Sequence, residues 1–337
     1  MEFGRRKFFG LGALGGLAGI ATGLGWGRVR GDTAATYAQD PALNNIDFCG
    51  DVGKAGIYSA QSLPPLYLAP DALDPVHTPP PFSKSGGKQI REIELKVMAG
   101  TREVGRGVSV DTWTYNGTAP GPIIRATLGD SLKITLTNKT KCRHSLHFHG
   151  DHDVAQDGWQ SVQPEETRLY EIEAGPIGVH PYHCHTPPFA SHFSRGMYGT
   201  LIVDPPEGRP PAHEFVLCLT GWDINNDGKN EIYAWNGIAG FYDLYPLKVP
   251  VGELVRLYIM NFVEFEPVGS FHLHAQSFDV YRSGTSLTPQ DHTDVITLGQ
   301  TERAIVEFRL PRRGRYMFHP HQIWMAEKGA MGWITAI

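Results

Sequence analysis

The segment HSLHFHG, residues 144–150, carries His144, His147 and His149, and YHCHTPPFASHFSRGM, residues 182–197, adds His183, Cys184, His185, His192 and Met197. Further on, FHLH supplies His272 and His274, and FHPH supplies His319 and His321. In an extended chain, side chains alternate faces, so each His-x-His sets two imidazoles on one side, about 6 to 7 Å apart. Two such pairs on neighbouring strands make a four-imidazole patch. One pair alone reads as ordinary histidine; four pairs in a repeated order read as metal ligands. Imidazole suits copper, zinc, iron and nickel alike.

Sulfur narrows the choice. His144, Cys184 and His192, with Met197 five residues later, make up the two-histidine, one-cysteine set with a weak axial methionine that defines a blue-copper electron-transfer site. Cys184 lies between two histidines of opposite facing, so a strand carrying it presents sulfur to one side and imidazole to the other.

The elements that must position these residues are strands. With 39 Gly and 25 Pro and no long amphipathic helical pattern after residue 90, the chain reads as short strands joined by turns, an all-β protein. The prolines of DPPEGRPPAHEF, 204–215, mark a boundary, and the two sides echo each other. YNGTAPGP, HSLHFHG and YHCH on one side answer to WNGIAG, GSFHLHA and FHPH on the other. In that alignment His144 and Cys184 correspond to Gly269 and Pro320, so the duplication keeps the paired histidines and loses the cysteine set.

At these motifs the chain resembles the multicopper oxidases, specifically the two-domain, laccase-like members with one blue-copper site in the first domain. The resemblance runs over about residues 89–337 and implies two cupredoxin-like Greek-key β-sandwiches, 89–206 and 207–337. It implies four coppers per active unit: type 1 on His144, Cys184, His192 and Met197; type 2 on His147 and His272; and a type 3 pair on His149, His183, His185, His274, His319 and His321. It further implies one-electron oxidation of a phenol, aromatic amine, metal ion or redox protein, coupled through Cys184 to four-electron reduction of dioxygen to water. Asp157, in AQDGW, falls where the family has an acidic residue and is expected to deliver protons; an Asp-Gly turn is its other reading. Copper nitrite reductases share the two domains and the type 1 set and are the alternative, but their single three-histidine catalytic copper would leave several of these imidazoles unused.

Each domain offers half of the paired histidines, and the proline-rich connection hinders sequential domains from closing face to face. A heterologous contact between chains must close into a ring or run on as a filament. The resembling oxidases close at three, so a homotrimer with intersubunit active sites is expected.

The remaining features bound the setting. A net charge of -5 and a pI near 6.3 leave no basic footprint for nucleic acid. Arg5 and Arg6 before a Gly/Ala-rich apolar run resemble a twin-arginine export signal, 1–38, placing the protein in the periplasm or outside the cell. An uncleaved membrane anchor is the alternative, because the run is about long enough to span by the rule of ~20 apolar residues. A proline-rich extension, 39–88, follows. Of Cys49, Cys142 and Cys218, an exported protein could pair two. DINNDGKNEIYA, 223–234, begins like a calcium loop but ends in Ala234 where a glutamate is needed, and reads as a polar turn. His152, three residues after His149, reads as a solvated loop residue, with support of a neighbouring metal ligand as its other reading.

Overall fold

The computed structural model describes residues 72–83 and 87–337; the signal-like N-terminus, Cys49 and most of the proline-rich extension lie outside them. The described chain is all-β. SLKITLTN shows why: every second residue from Leu132 to Asn138 is buried and the intervening ones are half-exposed, the period-2 pattern of a strand on a core. This strand, Ser131–Asn138, pairs in parallel with Ile90–Gly105 and antiparallel with Thr167–Glu173, and Val108–Tyr115 completes a four-stranded sheet. A second four-stranded sheet runs Ile124–Thr127, Tyr198–Asp204, Gly178–His183, His147–Phe148. Leu132, Ile134, Tyr170, Tyr182, Leu201 and their neighbours fill the space between the two sheets.

The second half repeats the plan with more strands. A six-stranded sheet centred on Leu254–Asn261 and Arg303–Arg309 faces a five-stranded sheet holding Val268–Leu273 and Gly314–His319. Both halves turn through an Asn-Gly pair at positive φ, Asn116-Gly117 and Asn236-Gly237, the conformation a two-residue hairpin requires and few other residues tolerate.

The halves are fused firmly. YGTLIVD, 198–204, is buried at every position because its two faces serve two cores: Leu201 and Val203 join the first sandwich, while Tyr198 and Ile202 meet Val216, Tyr258, Phe262 and Ile305 of the second. Beside this apolar seam, Arg125 pairs with Asp204 at 2.6 Å and Glu214 at 2.7 Å, and Arg256 pairs with Glu214 at 2.8 Å and with Glu307. Tyr258 donates its hydroxyl to Glu214. Removing one member of such a buried network leaves an uncompensated charge, a loss of about 3–5 kcal/mol. The network therefore fixes how the sandwiches sit on each other.

Candidate metal centres

In the first sandwich, His147 pairs with His183 and Phe148 with Tyr182 across adjacent antiparallel strands. Alternation does the sorting. Leu146, Phe148, Tyr182 and Cys184 point into the core, and the histidine rings gather on the other face. The sequence HCH thus places one thiol inward between two outward imidazoles.

Inward, His144 Nδ1 lies 4.0 Å and His192 Nδ1 3.2 Å from Cys184 Sγ, and the two nitrogens are 3.1 Å apart. His144 is held by a backbone bridge to Val162, and His192 by the short helix Phe189–Phe193. Met197 is wholly buried in the same core, its carbonyl accepting from Cys184 N–H at 3.0 Å. Ser145 N–H points at the sulfur from 3.3 Å. Burial pushes the Cys184 thiol up, against the hydrogen bonds from Ser145 and Thr186, so a thiolate here calls for a cation. Burial, then the neighbouring His192, lowers His144 to about 3; burial, then Arg195 and Arg143, lowers His192 to about 4. Two neutral imidazoles and a buried sulfur converging within 4.8 Å fit a soft metal such as copper.

Outward, His147, His149 and His183 also converge within 4.8 Å, and the His185 ring stands 5.4 Å from that of His147. His183 Nδ1–H donates to the Cys184 carbonyl at 3.0 Å, leaving Nε2 as a bare lone pair 3.1 Å from His149 Nε2. Burial is the largest cause lowering His149 to about 3 and His183 to about 4, so both are in the neutral, ligating form. His147 Nδ1–H donates to Asp157, 2.8 Å from Oδ1. Fixing one ring nitrogen so that the other faces the metal is the usual support of a ligating histidine.

The second sandwich repeats this geometry. His272 pairs with His319, and His274 Nε2 lies 3.0 Å from His319 Nε2. His319 Nδ1–H donates to the Pro320 carbonyl at 2.7 Å, as His183 does to that of Cys184. His272 Nδ1–H donates to the Asp294 carbonyl at 2.8 Å. His321 joins through its ring, 5.2 Å from that of His272. A serine recurs too: Ser145 Oγ accepts from His185 N–H at 2.9 Å, and Ser270 Oγ from His321 N–H at 2.7 Å. Among the described residues, no ring contact links the histidines of one sandwich to those of the other.

Near these clusters His152 departs from its solvated reading, and Trp113, Asp294, Ser145 and Ser270 are additions to the sequence reading. His152 is not a solvated loop residue: its side chain is 8% exposed and its Nε2–H donates to Asp157 Oδ1 at 2.9 Å. Asp157, closing the short helical turn Val154–Gln156, therefore accepts from two histidines. Burial raises its carboxyl, but the His152 bond and the nearby His147 outweigh that and hold it below the usual range. Trp113, unmarked by any motif, packs its ring 5.2 Å from His144 and 4.9 Å from His192. Asp294 has no signature of its own. Ser145 and Ser270 did carry a signal, since both halves keep a serine at that place.

Elsewhere, Cys142 is disulfide-bonded, while Cys184 and Cys218 are free thiols. In the loop at 223–231, Asp223 accepts from the backbone of Asp227 and Gly228, and Glu231 from that of Ile224, the bonding of a polar turn.

A solved multicopper oxidase superposes with a TM-score of 0.74 at 37% identity, covering 84% of this chain and 98% of its own. A copper nitrite reductase from Nitrosomonas europaea superposes with a TM-score of 0.68 at 30% identity, covering 74% of this chain and 94% of its own. By sequence, the copper-containing nitrite reductase of Neisseria meningitidis is 28% identical over 281 residues, 75% of this chain and 71% of that protein. Residues 96–208 and 218–336 each match the multicopper oxidase family. Those segments make up more than half of the sequence, and the chain belongs to the multicopper oxidases, a family of copper oxidoreductases.

Proposed function

We propose that this protein is a laccase-like oxidase that takes single electrons from an external reductant and reduces dioxygen to water. Bound copper would supply the one-electron redox chemistry, as one type 1 ion on His144, Cys184, His192 and Met197, and a type 2 ion with a type 3 pair on the eight outward histidines. The observation that carries the reading is the second sandwich. It repeats the strand register, the ring-nitrogen supports and the serine of the first, a complement of imidazoles that a single three-histidine copper would not use.

The chain's own groups have defined work. Cys184 joins the inward and outward clusters through one backbone unit, since its carbonyl holds His183 while its sulfur faces His144 and His192. Asp157 holds the His147 proton at Nδ1 and sits where it can pass protons toward the outward face, with His152 bracing it. The half-sites carry exposed apolar side chains: Trp159 (66%) and Phe189 (50%) pack beside His185, and Ile323 (50%) and Trp324 (48%) follow His321 in sequence. With the two sandwiches locked at their seam, these surfaces support completion of the cluster between chains, in a homotrimer. The disulfide at Cys142 supports an oxidising compartment and hence export.

Nitrite reduction is the second reading, favoured by the likeness to copper nitrite reductases. Oxygen uptake by copper-loaded protein, with nitrite as the competing acceptor, decides between them. The oxidase binds close to four coppers per chain and consumes oxygen; two coppers per chain with nitrite turnover exceeding oxygen uptake overturns it.

A further inference from the structure

The inward cluster is closed to solvent: His144, Cys184, His192 and Met197 are each at most 3% exposed. A reductant must therefore act through a neighbour. Trp113 is placed for this, because its ring touches both histidines and the residue is among those lining a pocket of about 360 Å³ on the first sandwich.

The pocket's chemistry is one-sided. Lys139, Lys141 and Arg195 line it, against the single carboxylate of Asp111. Asp111 accepts from Thr101 Oγ1 at 2.8 Å, and Lys139 reaches out to the exposed Glu165 at 2.6 Å. Arg195 is the built element. It is 7% exposed, its guanidinium lies 4.9 Å from the centre of the Trp113 ring, and its Nη2 donates to Asn226 Oδ1 at 3.0 Å. Its backbone carbonyl accepts from Trp113 N–H at 3.1 Å, so cation and indole are held as one unit. A planar guanidinium with its spread of donors suits a carboxylate, and the indole beside it suits an aromatic ring. The volume is at the small end of ligand pockets, which run from about 300 to 1,000 Å³, and so fits a single ring.

We propose that this pocket is the reductant site and that it selects single-ring phenols bearing a carboxylate, the carboxylate against Arg195 and the ring against Trp113. This rests on the oxidase reading for its purpose but not for its binding chemistry. Calorimetry on the copper-loaded full chain tests it with 3,4-dimethoxybenzoate, which has no free phenol to oxidise, and 1,2-dimethoxybenzene, the same ring without the carboxylate. The benzoate is expected to bind more tightly by about tenfold or more, the scale of one charge-assisted hydrogen bond. Added salt should erode that preference, Arg195→Gln should remove most of it, and Arg195→Lys should restore part. Lys133→Gln, which removes a surface cation outside the pocket, should leave it unchanged. Should Arg195→Gln fail to fold, Lys141→Gln and the salt series on the unaltered chain give the same reading. Equal affinity for the two ligands, or a preference indifferent to salt and to both substitutions, overturns the proposal. Oxygen uptake with guaiacol, a neutral phenol, reports separately. Uptake without carboxylate preference sinks the pocket and keeps the oxidase; preference without uptake does the reverse.

Discussion

The two sandwiches hold the same outward histidine frame and differ in what lies behind it. Behind the first stand His144, Cys184 and His192; behind the second, the places of His144 and Cys184 are taken by Gly269 and Pro320. The frame is indifferent to this change because its support at that place is a backbone group: His183 leans on the carbonyl of Cys184 and His319 on that of Pro320, and a carbonyl is available whatever the side chain. The inward set is not indifferent, since it needs the side chains themselves and room for them. In the second sandwich that room is filled. A Cβ at Gly269 would stand 2.8 Å from Leu219 Cδ2 and 3.0 Å from Asn261 Cγ. Asn261 cannot step aside, because its amide donates to the Leu298 and Gly299 carbonyls and its oxygen accepts from Val263 N–H. One half can thus lack the inward set and keep the outward histidine frame intact.

The sharpest way to break the comparison is to make the first sandwich resemble the second. Cys184→Ser should abolish the intense thiolate-to-copper absorption and stop turnover with every reductant, while copper analysis still finds the three outward ions. A blue band that survives the substitution would show that sulfur is not a ligand.

The next contrast is acid sensitivity, which the first sandwich carries at its joint with the second. His180 is 1% exposed; its Nε2–H donates to the Pro176 carbonyl, and Arg303 of the second sandwich reaches toward Nδ1 at 3.5 Å. Burial, reinforced by the Arg303 charge and opposed by the Pro176 bond and Asp151, lowers His180 from 6.5 to about 4. The aligned position in the second sandwich is Tyr316, a phenol. Because the folded pKa is the lower one, the unfolded chain binds more protons between pH 6.5 and pH 4, so stability present above pH 6.5 drains away across that window, by up to about 3 kcal/mol. Denaturant titrations across pH should show this slope in the unaltered chain and a flatter one in His180→Gln. Equal slopes would remove His180 from the account.

Reversing the direction of change gives a smaller effect. Gly269→Ala should cost about 1–3 kcal/mol, the penalty for overfilling a packed core. Gly269→His with Pro320→Cys should give a colourless second sandwich. A second blue band from that pair would show that Asn261 and Leu219 yield, and that the inward site was lost by drift of ligands alone.

Much of this frame was legible in the residues, because strand alternation converts HSLHFH and HCH directly into faces, and the same rule applies to FHLH and FHPH. The turns Asn116-Gly117 and Asn236-Gly237 marked the duplication for a similar local reason. What could not be read is whatever depends on approach across the fold. Trp113 meets His192 because a hairpin strand passes over a helix far along the chain, and no spacing encodes that. Of the two readings of His152 the solvated one fails and the supporting one holds, because the turn at Val154–Gln156 carries Asp157 back over it. The ion pairs of Arg125 and Arg256 with Glu214 were likewise invisible, although they decide how the halves meet.

The smallest effect is also the finest test of the comparison, because it concerns the one side chain the two sites share beyond their histidines. Ser145 and Ser270 each accept the N–H of an outward histidine, His185 at 2.9 Å and His321 at 2.7 Å. Replacing either with alanine should cost about 1 kcal/mol, the net worth of a typical hydrogen bond, and should weaken retention of the outward coppers to a similar degree. The inward side should separate them. Ser145 also sets its N–H 3.3 Å and its hydroxyl 4.0 Å from Cys184 Sγ, whereas Ser270 faces Gln322 Oε1 at 2.6 Å and no sulfur. Ser145→Ala should therefore shift the position of the blue band and the type 1 potential, and Ser270→Ala should leave both where they are. If both variants shift the blue band equally, the inward site senses the second sandwich, and the inward set is not separate from the outward frame.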